Sequence, residues 1–158
     1  VVLALAGLTL AGCATVAEAP QLRDTWGYRP ANADHAQAGL IYGLPESDVL
    51  TMAFDCAPAS GHASLRIFGG DLGWNPRRVD LRSGVTQEAF ALTPNPGWDV
   101  ELVLTAPIDP QGPLATAFER TGRLEIQFDQ SGDWGPASAP HRREHGGVRA
   151  FWPICRAR

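Results

Sequence analysis

Hydrophobic and polar positions along the chain fall into two regimes. From Val1 to Gly12 every residue is apolar or small except Thr9, and none is charged. From Gly39 onward the pattern turns to short alternating runs cut by Gly, Pro, Asn and Asp. Alternation at period 2 sends successive side chains to opposite faces of a strand. Leu40-Ile41-Tyr42 predicts a short first strand. Residues 48–57 predict a second, with Leu50, Met52, Phe54 and Cys56 on one face and Thr51, Ala53 and Asp55 on the other. Residues 62–68 set Ala63, Leu65 and Ile67 against Ser64, Arg66 and Phe68. Arg78 to Arg82 points Val79 and Leu81 inward and Arg78, Asp80 and Arg82 outward. Ser83-Gly84 reads as a two-residue turn into a strand over residues 85–92. Residues 98–105 offer Val100, Leu102 and Leu104 to the core, and residues 123–128 offer Leu124, Ile126 and Phe128.

About six or seven strands with frequent turn signals imply a mainly β fold, an antiparallel β-sandwich or barrel. Two short helical segments interrupt it. Pro113 to Thr121 opens with a proline suited to a first helical turn, pairs Leu114 with Phe118, and ends before Gly122. Near the end, Val148, Phe151, Trp152 and Cys155 form one helical stripe, which Pro153 should kink or shorten. Residues 13–38 show no sustained period and read as a tether, from which Trp26 and Tyr28 could fold back. The expected organisation is therefore a signal segment over 1–12, a tether over 13–38 and one β-rich domain over 39–158.

Composition changes this picture in two ways. An apolar fraction of 44% is enough for a real core. The 13 basic residues are all Arg, and the net charge of −4 argues against a nucleic-acid binder. Charge is uneven: residues 141–158 carry a local balance of +4 and the remainder −8. That basic end is a solvated tail or a patch for an anionic partner.

The opening apolar run is too short to span a bilayer, which needs about 20 residues. It suits the core of a secretory signal, whose start reads as cut short because neither Met nor a basic residue precedes it. Leu10-Ala11-Gly12-Cys13 resembles the lipobox of bacterial lipoproteins. The resemblance implies cleavage before Cys13, lipidation of its thiol, and stable anchoring by several acyl chains. Ala14, rather than Asp, follows the cysteine; by likeness to enterobacterial sorting this implies the outer membrane, facing the periplasm. Cys56 and Cys155 then remain in an oxidising compartment, where two cysteines of one exported domain are expected to pair.

Candidate chemistry is thin. His141-Arg142-Arg143-Glu144-His145 matches H-x-x-E-H and resembles the inverzincin peptidases, which implies two zinc ligands and a Glu base on one helix. No Asp or Glu follows His145, and Gly146-Gly147 should end the helix at once, so a catalytic zinc site is not expected there. Cys56 and His62 could make a thiol–base pair, which a disulfide would preclude. Trp74, Trp98 and Trp134 lie beside Gly and Asp in expected turns, where flat rings flanked by carboxylates suit sugar faces or close the ends of a sandwich. Phe54-Asp55-Cys56, Ser83-Gly84 and Cys155 follow an order similar to the membrane-bound lipoprotein lysozyme inhibitors, a resemblance that implies a small β-barrel with a C-terminal disulfide. The Tyr expected soon after Ser-Gly is absent, and two helical segments have no place in that barrel.

These readings point to a lipid-anchored binding or interaction module of the cell envelope, with no catalytic residue and no cofactor. Its partners would be the membrane and an envelope protein or glycan. An inhibitor of a cell-wall hydrolase presenting Ser83-Gly84 is the first alternative, a glycan-binding module using Trp74, Trp98 and Trp134 the second, and an enzyme the last.

Overall fold

The computed structural model describes residues 25–43, 50–68, 76–95, 103–129, 135–136 and 142–156. Ten strands and two helices follow in the order β1 (Thr25–Arg29), β2 (Ala38–Gly43), β3 (Leu50–Cys56), β4 (Ala63–Phe68), β5 (Arg78–Ser83), β6 (Thr86–Ala91), β7 (Thr93–Asn95), β8 (Val103–Ile108), α1 (Pro113–Thr121), β9 (Glu125–Phe128), β10 (Gly135–Pro136) and α2 (Arg142–Cys155). They build two packed antiparallel sheets, ordered β1-β2-β3-β4-β8-β7 and β10-β9-β5-β6, and neither sheet closes into a barrel. The fold is mainly β with two short helices.

The alternation of the sequence sets the faces. Register places Leu40 beside Phe54, Phe54 beside Leu65, and Leu65 beside Ala106, so one face of the six-stranded sheet is an unbroken apolar surface. Val79 beside Phe128 and Leu81 beside Ile126 do the same for the smaller sheet. Between them lies one core, whose centre is aromatic. Trp26 stands 5.0 Å from Tyr42 and 5.2 Å from Phe118, and Trp152 stands 5.3 Å from Phe54 and 5.0 Å from Phe151. Such tilted and edge-to-face pairs contribute about 0.5–1.5 kcal/mol each beyond area burial. Among the described residues the buried Trp152 Nε1–H meets no hydrogen-bond acceptor.

Helix α1 matches its expected bounds. Pro113 opens it, and Gly122 closes it in the left-handed region at φ 67°, donating its N–H to the Phe118 carbonyl. Helix α2 departs from expectation by running through Gly146 and Gly147. Packing outweighs propensity there: a Cβ on Gly147 would lie 3.0 Å from the Tyr28 Cβ, so only glycine lets the helix sit this close to β1. Pro153 does not end the helix either. The carbonyl it leaves unbonded is that of Arg149, an exposed residue, where water can satisfy it.

Other boundaries also moved. β1 lies inside the stretch read as tether, and its Trp26 is a core residue at 3% exposure. The short strands β7 and β10 lie outside every run of alternation in the sequence. The hairpin turn is Gly84-Val85, not Ser83-Gly84, because Ser83 pairs with Thr86. Gly84 takes φ 62° at the first turn position, as a II′ turn requires.

Candidate functional site

Cys56 ends β3 and Cys155 ends α2, and they form a disulfide with Cα atoms 5.5 Å apart across a sequence separation of 99. Both are buried, at 3% and 0% exposure. The strand stripe and the helix stripe that carry them therefore face one core. The loop after β3 closes the helix end. Ala59, in the left-handed region at φ 56°, donates its N–H to the Ile154 carbonyl, and Gly61 donates to the Cys155 carbonyl. Those are orphan acceptors of the last turn, now satisfied by a distant segment. Arg156 extends the clasp, with Nη2 2.6 Å from Glu119 Oε2 and Nε donating to the Pro110 carbonyl.

The polar group that sequence reasoning missed is Asp55. It sits on the outer face of the six-stranded sheet, yet is 3% exposed. Arg66 Nε donates to its Oδ2 at 2.6 Å, and Arg29 Nη2 lies 3.5 Å from its Oδ1. Arg29 reaches it by crossing Gly39, where a Cβ would stand 3.2 Å from Arg29 Nη2 and 3.3 Å from Asp55 Oδ1. The Arg66 guanidinium also stacks 5.4 Å from the Phe68 ring, its neighbour two residues along the same face. The signal was Arg66 and Asp55 on opposite strands of one face, which alternation shows but strand pairing alone connects. The carboxylate is engaged by two cations, while its Oδ1 accepts no hydrogen bond from a described residue.

The smaller sheet repeats the theme at its outer face. Arg78 Nη2 lies 2.7 Å from Asp80 Oδ1, and Arg82 Nε lies 2.6 Å from Glu125 Oε2. Asp80, expected outward, is on that face but only 8% exposed. The Arg82 hydrogen bond lowers the Glu125 pKa below the ordinary glutamate value, and the same bond raises that of Arg82. Burial pushes the Tyr28 phenol up.

The sequence-derived candidates fare as follows. Ser83 is buried at 1%, and its hydroxyl shares a 2.9 Å hydrogen bond with that of Thr121 at the end of α1. The hairpin therefore presents Gly84 and Val85, the latter 98% exposed. Cys13, Trp74, Trp98, Trp134 and His141 lie outside the described residues. His145 is on α2, and among the described residues no group of three or more metal-ligating side chains gathers. His62 is exposed, and the thiol it would have activated is committed to the disulfide.

The chain matches no family model, no curated protein and no solved structure.

Proposed function

We propose that this chain is a lipid-anchored module of the bacterial cell envelope that works by binding, tethered through Cys13 at the outer membrane and facing the periplasm. The observation that carries the reading is the buried Cys56–Cys155 bridge, which ties the last helix to a central strand. Structural disulfides persist in oxidising compartments. A Leu-Ala-Gly-Cys signal would deliver the chain to one. Five of the described carboxylates add support. Asp55, Asp80, Glu119 and Glu125 each hold an arginine, and Glu88 accepts the Leu114 N–H at the start of α1. Groups spent on holding a scaffold suit a rigid binding surface better than turnover.

The test is metabolic labelling with palmitate, followed by fractionation, of the wild type and Cys13→Ser. Wild type should carry label in the membrane fraction and show no free thiol when unfolded without reductant. Cys13→Ser should take up no label and leave the membrane. A Cys13→Ser protein that is still acylated and membrane-bound, or wild type recovered from the cytosol with Cys56 and Cys155 reduced, overturns the reading.

A further inference from the structure

Of the edge strands among the described residues, β6 is the longest, has no proline and carries no charge on its exposed face. β1 bears Arg29 and has α2 packed on it. β7 is three residues long and contains Pro94, and β10 is two residues long and contains Pro136. Short length, proline, charge and a covering helix are the usual protections of an edge. β6 has six residues, Thr-Gln-Glu-Ala-Phe-Ala, with no proline. Its one charge, Glu88, is turned onto the Leu114 N–H, where α1 packs on it.

The phase of its hydrogen bonds can be read. Leu92 donates its N–H to the Arg77 carbonyl, and Arg77 and Leu92 continue the β5–β6 register. In an antiparallel pair bonded positions alternate. Phe90, Glu88 and Thr86 therefore bond to β5, while the N–H and C=O groups of Ala91, Ala89 and Gln87 point to the other side. Those three residues are exposed. Past Leu92 that other side is taken by β8, with Asn95 beside Val103 and Thr93 beside Thr105. The next pair in that register is Ala91 with Pro107. Proline has no N–H to give, and the ladder stops there. The open stretch thus runs from Ala91 back to the hairpin tip, farther from β8 with each residue.

We propose that this open edge pairs with the same edge of a second copy, antiparallel, about a two-fold axis at Gln87. An antiparallel edge is complementary to itself in donors and acceptors. The side chain on the axis must also tolerate its own image. A charge would be repelled by its copy, whereas the Gln87 amide both donates and accepts, so two of them bond to each other. Centring at Gln87 also keeps the pairing on the tip side, clear of β8.

The experiment uses the full chain carrying Cys13→Ser, so that no acyl group contributes to association. Sedimentation equilibrium over a concentration series should show a monomer–dimer equilibrium. Gln87→Lys should abolish the dimer at every concentration where the parent pairs, with circular dichroism unchanged. Gln87→Pro should do the same, because the N–H it removes faces outward and the β5 ladder survives. Gln87→Cys should cross-link to its own copy under mild oxidation, faster than Arg123→Cys, an exposed control near the same tip; hydrogen-bonded pairs place Cα atoms about 5.5 Å apart, within disulfide reach. A parent that stays monomeric, a Gln87→Lys protein that associates like the parent, or Gln87→Cys cross-linking no faster than the control overturns the proposal. If Gln87→Pro loses its fold, Gln87→Lys and the cross-link decide.

Discussion

An arginine Nε meets a carboxylate oxygen at 2.6 Å on the outer face of each sheet, Arg66 with Asp55 on the larger and Arg82 with Glu125 on the smaller. Distance is where the likeness ends. The Asp55 side chain is 3% exposed, whereas those of Arg82 and Glu125 are 34% and 43% exposed. An anion removed from water depends on its partners, while an exposed pair competes with water and gains little. The same contrast runs through the two halves. The six-stranded half has the aromatic centre, the disulfide and α2. The four-stranded half has a hairpin, Val79 and Leu81 backed by the half-buried Phe90 and Phe128, and two ion pairs, of which Arg82–Glu125 is open to solvent. Stability should therefore be concentrated in the first, and substitutions should show it.

The largest expected effect is at the bridge. Replacing Cys56 and Cys155 by Ser removes a constraint spanning 99 residues, for which the chain-entropy model gives about 4–5 kcal/mol. Hydrogen exchange should show α2 losing protection first, while the β5–β6 hairpin changes least. Equal loss in both sheets would remove the distinction between the halves.

Next comes the buried anion, where the two partners should not behave alike. Arg66→Ala strands a carboxylate out of water beside one long contact to Arg29, and should cost about 3 kcal/mol in chemical denaturation. Asp55→Asn leaves arginines that are 36% and 21% exposed and can turn to solvent. It should cost about 1–2 kcal/mol. A larger loss for Asp55→Asn than for Arg66→Ala would mean that the cations, not the anion, are the demanding partners.

The adjacent glycines of α2 give a finer contrast within one half. Gly147→Ala drives a methyl into Tyr28 and should destabilise by about 1–2 kcal/mol. At Gly146 a Cβ meets nothing within 4 Å. Gly146→Ala should raise stability by about 0.5–1 kcal/mol, the ordinary gain of alanine inside a helix. Thermal melts of the two variants should move in opposite directions.

These glycines also show where sequence reading stopped. Alternation was enough to find the core strands and assign their faces, because period 2 is imposed by the backbone itself. Helix α1 was legible because Pro113 and Gly122 act locally. α2 through Gly146-Gly147 was not, since its reason is Tyr28, more than a hundred residues away. Asp55 was legible as outward and illegible as buried, because its burial depends on two arginines from other strands. β1 escaped because a short strand with Gly27 at its middle has no sustained alternation, and only Trp26 and Tyr28 hinted at it. Pairing is a property of the neighbour, and the chain in order does not print its neighbours.

The smallest effect should come from the exposed pair, and pH separates it from the rest. The Arg82 hydrogen bond holds the folded Glu125 pKa below its unfolded value near 4.5. A carboxylate shifted down in the folded state contributes stability that is fully present above the unfolded pKa and is lost as pH falls through the folded one. Solvent screening at this surface keeps the contribution small. Denaturation midpoints of wild type and Glu125→Gln should therefore differ slightly at pH 7, with wild type the more stable, and converge as pH drops below about 4.5. Added salt should shrink the pH 7 gap, because exposed charges are screened at ordinary ionic strength. The Arg66→Ala deficit at pH 7 should resist salt, because Asp55 is out of water. A Glu125→Gln gap at pH 7 as large and as salt-resistant as that of Arg66→Ala would show that burial does not decide which ion pairs this fold depends on.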